Sequence, residues 1–386
     1  MLFSQILGQD YIKNHLVKSA LLGRIPHAQL FVGPEGCGTL AIAIAYAQFV
    51  LCNNQGQENS GVNESCNLKF QSLSHPDLHF VYPNVTNDDV KTKPKSADFI
   101  LDWREFVTKN PYGSLFDWHK HLGVENKQGM IRVEDASDIL KALALKSYEG
   151  GYKIMIVWMA EKLHTSAANK LLKLLEEPPE KTVFILVTEN EEDIITTIKS
   201  RCQILQFPVL SEADIAKGLV EKEDTDLPIA KQIAHQADGN FNKALHLLHN
   251  DNADEQFETW FIVWVRAAFK AKGNAAVIQE LIQWSDTIAK SGRETQKRFL
   301  HYCLQFFRQA LLLNYSADEL VFLQPKSPNF DLEKFAPFVH SKNILAIDKE
   351  LNDAIYHIER NGNAKIILLD LSMKLTRFLH KKEAKV

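Results

Sequence analysis

Three unbroken apolar runs of strand length set the tightest limit on how this chain folds: AQLFVG (28–33), KIMIVWM (153–159) and TVFILVT (182–188). A strand with one wet face alternates apolar and polar residues. A run without alternation suits a strand covered on both faces, the habit of parallel sheets. Between the runs, apolar residues recur at helical spacing, as in VEDASDILKALALKS (133–147) and SAANKLLKLLEEPP (166–179). The second of these is expected to stop at Pro178-Pro179, because proline cannot continue the hydrogen-bond ladder. Strand–helix alternation over residues 1–208 predicts an α/β domain with a parallel sheet and helices on both faces.

The first run leads into FVGPEGCGTLAIAIAYA (31–47), an apolar strand end, a glycine-rich turn and an apolar helix. This is the layout of a phosphate-binding loop, G-x-x-x-x-G-K-[ST]. Gly33, Gly36 and Gly38 keep the turn, but Thr39 and Leu40 stand where the lysine and the hydroxyl residue belong. The turn is present and its charge is not. Gly33, Gly36, Gly38 and Thr39 are therefore the candidate nucleotide-contacting residues of a degenerate site, expected to be empty.

Two stretches interrupt the α/β pattern. Residues 53–65 are polar and read as a loop. Residues 84–129 begin polar and turn aromatic, with Trp103, Phe106, Tyr112, Phe116 and Trp118. They read as an insertion that packs its aromatics back onto the domain, with a docking surface as the alternative. Beyond FPVLSEADI the strand signals vanish. Residues 209–252 read as a small helical domain with Ser211 as an N-cap and a turn-then-helix at 237–248. Residues 253–386 read as an all-helical domain. In its segment 293–315, Phe299, Tyr302, Cys303, Phe306, Phe307, Ala310 and Leu313 cover too wide an arc for a helix buried on one side only. That suits a bundle or an oligomerisation domain. The tail HKKEAKV reads as a solvated terminus.

A net charge of −4 over 386 residues argues against a broad nucleic-acid-binding surface. No run approaches a membrane span, and MLFSQILGQD lacks the basic-then-apolar pattern of a secretory signal. Five scattered cysteines, an odd number, suit free thiols in a reducing compartment, so a cytoplasmic protein with no membrane partner is expected.

Taken together, FSQILGQDYIKNHLVKSALLGRIPHAQLFVGPEGCG (3–38), ANKLLKLLEEPPEKTVFILVTE (168–189) and TTIKSRCQILQF (196–207) resemble, in order and spacing, the AAA+ nucleotide fold of clamp loaders. These assemblies open sliding clamps for DNA polymerases. The resemblance covers residues 1–250 well and the last third only as a helical domain in the right place. It implies a nucleotide-fold domain (1–208), a helical lid (209–252) and a helical collar (253–386). ATP hydrolysis also needs an aspartate for the metal and a glutamate for the water. Counting back from NKLLK, the positions where the family's motor subunits carry Asp-Glu hold Trp158 and Met159, with Glu161 two residues further on. The position of the phosphate-sensing arginine holds Asn242, beside Lys243.

What the resemblance retains is Ser200-Arg201-Cys202, the triplet with which the family presents an arginine to the nucleotide of the next subunit. Arg201 is the candidate catalytic residue, acting in trans, with Ser200 and Cys202 as motif neighbours. A helix cap or an ordinary salt bridge is the other reading of the same residue. Thr188, in the family's first-sensor region, is expected to be structural. Relatives carry a four-cysteine zinc module before the HPD segment, here His75-Pro76-Asp77. This chain keeps only Cys52 and Cys66, with Asn67 and Lys69 near where further ligands would be expected. Zinc is therefore not expected and the cysteines are expected free.

The chain is most similar to the delta-prime family of bacterial DNA polymerase III, a stator subunit that hydrolyses nothing itself. The implied partners are motor subunits of the gamma/tau type, a delta subunit, the sliding clamp and, through the assembled ring, primer-template DNA. ATP would be hydrolysed by the motor subunits, and no cofactor is expected in this chain. A divergent motor ATPase and the clamp-opening delta subunit stay open as alternatives.

Overall fold

The computed structural model describes residues 1–52, 64–124, 127–148, 151–249, 253–321, 323, 325, 327–328 and 330–381. The polar segment 53–63, the expected boundary at 250–252 and the tail beyond Lys381 lie outside the described residues.

The three apolar runs form strands β1 (Ala28–Val32), β3 (Lys153–Trp158) and β4 (Thr182–Thr188), each buried throughout. Two further strands, β2 (Leu78–Val81) and β5 (Gln203–Gln206), complete a parallel sheet in the order β2-β3-β4-β1-β5. Val32 lies beside both Thr188 and Gln206, and Trp158 lies beside Val187. The C-terminal ends of β1, β3 and β4 therefore come level along one rim, where open α/β sheets place their ligands.

Helix α1 (Asp10–Leu21) precedes the sheet, and α2 (Thr39–Cys52) and α3 (Glu64–Gln71) follow β1. The chain then runs through α4 (Ile100–Lys109), α5 (Leu115–His121) and α6 (Val133–Ala144) before β3. Helix α7 (Thr165–Glu176) links β3 to β4 and ends just before the two prolines, and α8 (Thr196–Lys199) links β4 to β5. Leu40 through Gln48 are all buried, so α2 is apolar all round and lies in the core. On one face of the sheet Phe31, Ile154, Ile156, Val183 and Ile185 join the core around α2. On the other, Leu30, Val32, Met155, Phe184 and Leu186 pack on Ile139 and Leu143 of α6 and on Leu171 and Leu175 of α7.

The strands are followed by α9 (Glu212–Glu223), α10 (Leu227–Ala237) and α11 (Phe241–Leu248). Ser211 caps α9, its hydroxyl accepting from the Asp214 amide at 3.1 Å. Ile215, Leu219, Ile233 and Phe241 join the same core as α2. Accordingly the first of two compact units comprises Met1–Val124 and Gly129–His249.

The aromatic insertion belongs to this core. Trp103, Phe106, Tyr112 and Trp118 are buried and Phe116 is half-buried. Trp103 stacks on Tyr82 with centroids 4.1 Å apart and meets Trp118 edge-on at 5.3 Å. The Trp118 indole donates to the Pro83 carbonyl at 2.8 Å. A docking surface would need these rings in solvent.

The second unit is helical: α12 (Ala253–Lys270), α13 (Ala275–Ala289), α14 (Arg293–Asn314), a short α15 (Leu332–Phe335), α16 (Ile344–Glu359) and α17 (Ala364–Leu379). Its core is aromatic, with Trp264 stacked on Trp284 at 5.0 Å and the tilted rings of Phe261 and Phe306 4.1 Å apart. Phe299, Cys303, Phe306, Phe307 and Ala310 of α14 are buried, while Tyr302 and Leu313 are half-buried. Among the described residues no helix is long and apolar enough to cross a membrane.

The cysteines depart from expectation. Cys52 at the end of α2 and Cys66 in α3 are joined in a disulfide, leaving Cys37, Cys202 and Cys303 as free thiols. Packing of α3 on the end of α2 brings the two Cα atoms to 5.6 Å, inside the range a disulfide spans. The inference of a reducing compartment from uniformly free thiols therefore lapses.

Candidate functional site

The glycine-rich turn sits at the rim, at the end of β1. The Gly33 amide donates to the Thr188 carbonyl at 3.1 Å, tying the turn to β4. Gly36 and Gly38 have φ of +74° and +93°, a region that side chains with a Cβ avoid. Space is tight as well. A Cβ on Gly36 would lie 1.9 Å from the Asn240 side-chain oxygen, and one on Gly38 would lie 3.0 Å from the Tyr112 ring. Thr39 then opens α2, with Leu40 buried behind it.

In a working loop the space before these glycines receives phosphates on the backbone N–H groups. Here the chain's own residues fill it. The Phe241 amide donates to the Gly36 carbonyl at 3.2 Å, and the Asn240 side chain donates to Glu35 at 3.1 Å. Tyr112, from the insertion, packs its ring on Gly38 and edge-on against Phe241 at 4.9 Å. Its hydroxyl accepts from the Leu7 amide at 2.9 Å. Burial pushes the Tyr112 phenol up to about 12, so it stays neutral. The cavity left among Gly36, Gly38, Thr39, Leu40, Tyr112, Trp158 and Thr188 is about 20 Å³. That volume holds about one water molecule.

The positions of the missing catalytic groups are likewise absorbed into packing. Trp158 is buried with its ring 5.0 Å from Trp103 and 6.2 Å from Phe106. Burial pushes the Glu161 carboxyl up, with the neighbouring Thr188 side chain opposing it. Thr188 donates to the Asn190 carbonyl at 3.0 Å and is fully buried. Lys243 is half-buried on α11.

Asn242, at the sensor position, is bolted to the insertion. Its amide donates to Asp117 at 2.7 Å and its oxygen accepts from Asn110 at 2.9 Å. Asp117 also accepts from the Ser114 amide and hydroxyl, at 2.9 and 2.6 Å, and pairs with His246 of α11 at 3.0 Å. Burial would raise the Asp117 carboxyl. The hydrogen bond and charge of His246, with Ser114, outweigh it and hold the group well below the usual carboxylate range. A carboxyl lowered on folding adds stability above its unfolded pKa of about 4. That contribution is lost as the pH falls below this value toward the folded one. Protection of the α5 amides, taken relative to the intrinsic exchange rate at each pH, is therefore expected to fall below about pH 4, and Asp117→Asn to flatten that dependence. Exchange rates measured across the acid range check both.

Arg201 follows α8, and its contacts are with α7 and α8 rather than with the turn. Nη2 pairs with Glu176 at 2.6 Å, and Nη1 donates to the Thr197 carbonyl at 2.9 Å and the Ser200 hydroxyl at 3.2 Å. A third of the side chain remains exposed. Cys202 packs toward the core, where burial pushes its thiol up to about 11, which keeps it protonated and inert. Gly33, Gly36, Gly38 and Thr39 thus form one site and Arg201 with Ser200 another. Sequence reasoning singled out both sets and did not place Tyr112, Asp117 or Asn240 beside the turn. Its only signal for the first two was the aromatic cluster, which does not say where the rings go.

Among the described residues no group of three or more His, Cys, Asp or Glu side chains converges to hold a metal. Asn67 accepts a hydrogen bond from Gln48 at 2.6 Å.

Residues 8–211 match the family model described as DNA polymerase III, delta subunit. Among curated proteins the chain is 28% identical to DNA polymerase III subunit delta' of Bacillus subtilis over 247 residues, 64% of this chain and 61% of the relative. It is 30% identical to the delta' subunit of Haemophilus influenzae over 186 residues, 48% of this chain and 44% of that one. The tau subunit of Bacillus subtilis is 28% identical over 251 residues, 64% and 37% of the two chains. The chain thus spans under two thirds of the length of these relatives. A Thermotoga maritima gamma-subunit-related protein of known structure aligns over 96% of this chain and 99% of its own, at 14% identity and a TM-score of 0.36. That likeness is too weak to bear on function. With more than half of its residues matched by the family model, and delta' subunits among its relatives, the chain belongs to the delta-prime family of DNA polymerase III clamp-loader subunits.

Proposed function

We propose that this chain is the non-hydrolysing stator of a clamp loader that acts in DNA replication. Motor subunits of the gamma/tau type would close against its nucleotide-fold domain, and Arg201 would complete the ATP site of the adjacent motor subunit. Helices α9–α11 would serve as the lid, locked rather than mobile. The helical unit from Ala253 onward would supply its share of a collar. A delta subunit, the sliding clamp and primer-template DNA would be reached through the assembled complex, in the cytoplasm.

The observation that carries this reading is the filled turn, a cavity of about 20 Å³ under Tyr112 where a nucleotide site needs room for a triphosphate. Loss of the lysine, the metal ligand and the sensor together removes the charge stabilisation that phosphoryl transfer depends on. Arg201 remains half-exposed, as a residue serving a neighbour must be.

The rival motor-subunit reading is separated by calorimetric titration of the isolated full chain with ATP and magnesium. No binding is expected up to millimolar nucleotide, a range that covers affinities down to about −4 kcal/mol. Micromolar binding with turnover would make the chain a motor.

A further inference from the structure

Two segments that mark the sequence, LLEEPP and SRC, meet in the fold through one ion pair. Glu176, the last residue of α7, lies 2.6 Å from Nη2 of Arg201. Both ends of the pair stand on anchored backbone. Leu174 and Leu175 are buried beside Glu176, and Ile198 is buried in α8. The charged groups themselves stay half-exposed, the Arg201 side chain at 34% and the Glu176 side chain at 48%. Nη1 is held independently by the Thr197 carbonyl and the Ser200 hydroxyl. These three contacts engage Nη1 and Nη2. The Nε–H lies outside them, on an edge from which guanidinium can still meet a phosphate oxygen.

We propose that Glu176 is a positioning residue for Arg201. It fixes the guanidinium plane in the free chain, so that the arginine meets the neighbouring nucleotide already oriented. A long, flexible side chain would otherwise have to be ordered at the moment of assembly. Because the pair is exposed, it holds the group without sequestering it. The inference rests on Arg201 acting in trans.

The test is a double-mutant cycle in the reassembled loader, with motor subunit, delta subunit, clamp and primer-template DNA. Glu176→Ala is expected to slow hydrolysis at the one nucleotide site facing this chain by about 10-fold to 10²-fold, the scale of a misplaced catalytic group, read as a smaller rapid-quench burst. The KM for ATP should be unchanged. Glu176→Gln keeps an oxygen acceptor for Nη2 and should recover most of the rate. On an Arg201→Ala background, Glu176→Ala should cost nothing more, because its effect passes through the arginine. A merely structural glutamate would lower the rate on both backgrounds. Wild-type or faster turnover in Glu176→Ala, beside a slow Arg201→Ala complex, overturns the positioning role and leaves the trans arginine standing. Wild-type turnover in Arg201→Ala itself overturns the underlying reading instead. Gel filtration of each complex checks assembly. Should Glu176→Ala fail to assemble, Glu176→Leu, which removes both acceptor oxygens and keeps the bulk, takes its place in the cycle, and a loss that persists on the Arg201→Ala background overturns the proposal.

Discussion

In a reassembled clamp loader, Arg201→Ala is expected to slow hydrolysis at the nucleotide site facing this chain by on the order of 10³-fold. That corresponds to roughly 4 kcal/mol of lost transition-state stabilisation. A ring with several motor sites dilutes the effect in steady state. The total rate falls by the share of this one site, and the rapid-quench burst shrinks by the same share. Arg201→Lys gives little back, because a point charge does not reproduce the planar fork that engages phosphate oxygens. The fold is spared in either variant. The ion pair that is lost, between Arg201 and Glu176, is half-exposed and contributes about 1 kcal/mol or less. A full burst from an Arg201→Ala complex would show that the arginine serves its own chain only.

Trp103→Ala is the other large effect, and it falls on stability. The side chain is wholly buried, stacked on Tyr82, edge-on to Trp118 and against Trp158. Truncating a buried tryptophan costs about 3–5 kcal/mol, from lost burial and the cavity left behind. The loss should appear in the sheet-bearing unit, as an earlier urea transition and faster amide exchange in α4 and α5. The helical unit should unfold as before. Because two compact units need not unfold together, exchange resolved by segment is the safer readout. A variant of wild-type stability would mean that the insertion rests on the domain without belonging to its core.

How far the sequence could be read depended on whether a signal was local. Strands β1, β3 and β4 announce themselves because continuous burial demands continuous apolar residues. Strand β2 is four residues long and carries the half-buried His79. Strand β5 lies at the sheet edge with Gln203, Ile204 and Gln206 exposed, so its composition follows solvent rather than the sheet. Neither stretch is long enough or apolar enough to register as a period. The degenerate turn was legible for a similar reason, since Thr39 and Leu40 are missing chemistry in consecutive positions. Its filling was not, because Tyr112 and Asn240 arrive from segments far along the chain, and tertiary packing alone brings them to Gly38 and Gly36. The Cys52–Cys66 bond was hidden by counting. An odd total suggested free thiols, whereas the pairing depends on where α2 ends and α3 begins.

The filled cleft also bears on the history open to such a chain. Each lost catalytic residue could in principle return by a codon change, but each return meets occupied space. An aspartate at Trp158 would bury a carboxylate among Trp103 and Phe106, a penalty of several kcal/mol with no metal to offset it. A lysine at Thr39 would face the Tyr112 ring instead of phosphates. An arginine at Asn242 would break the bonds to Asp117 and Asn110 before it gained a ligand. Every single step back costs stability before any new ligand contact can offset it. Tyr112 and the tryptophans thus act as a ratchet, because a cleft packed this way resists the return of any one catalytic residue by itself.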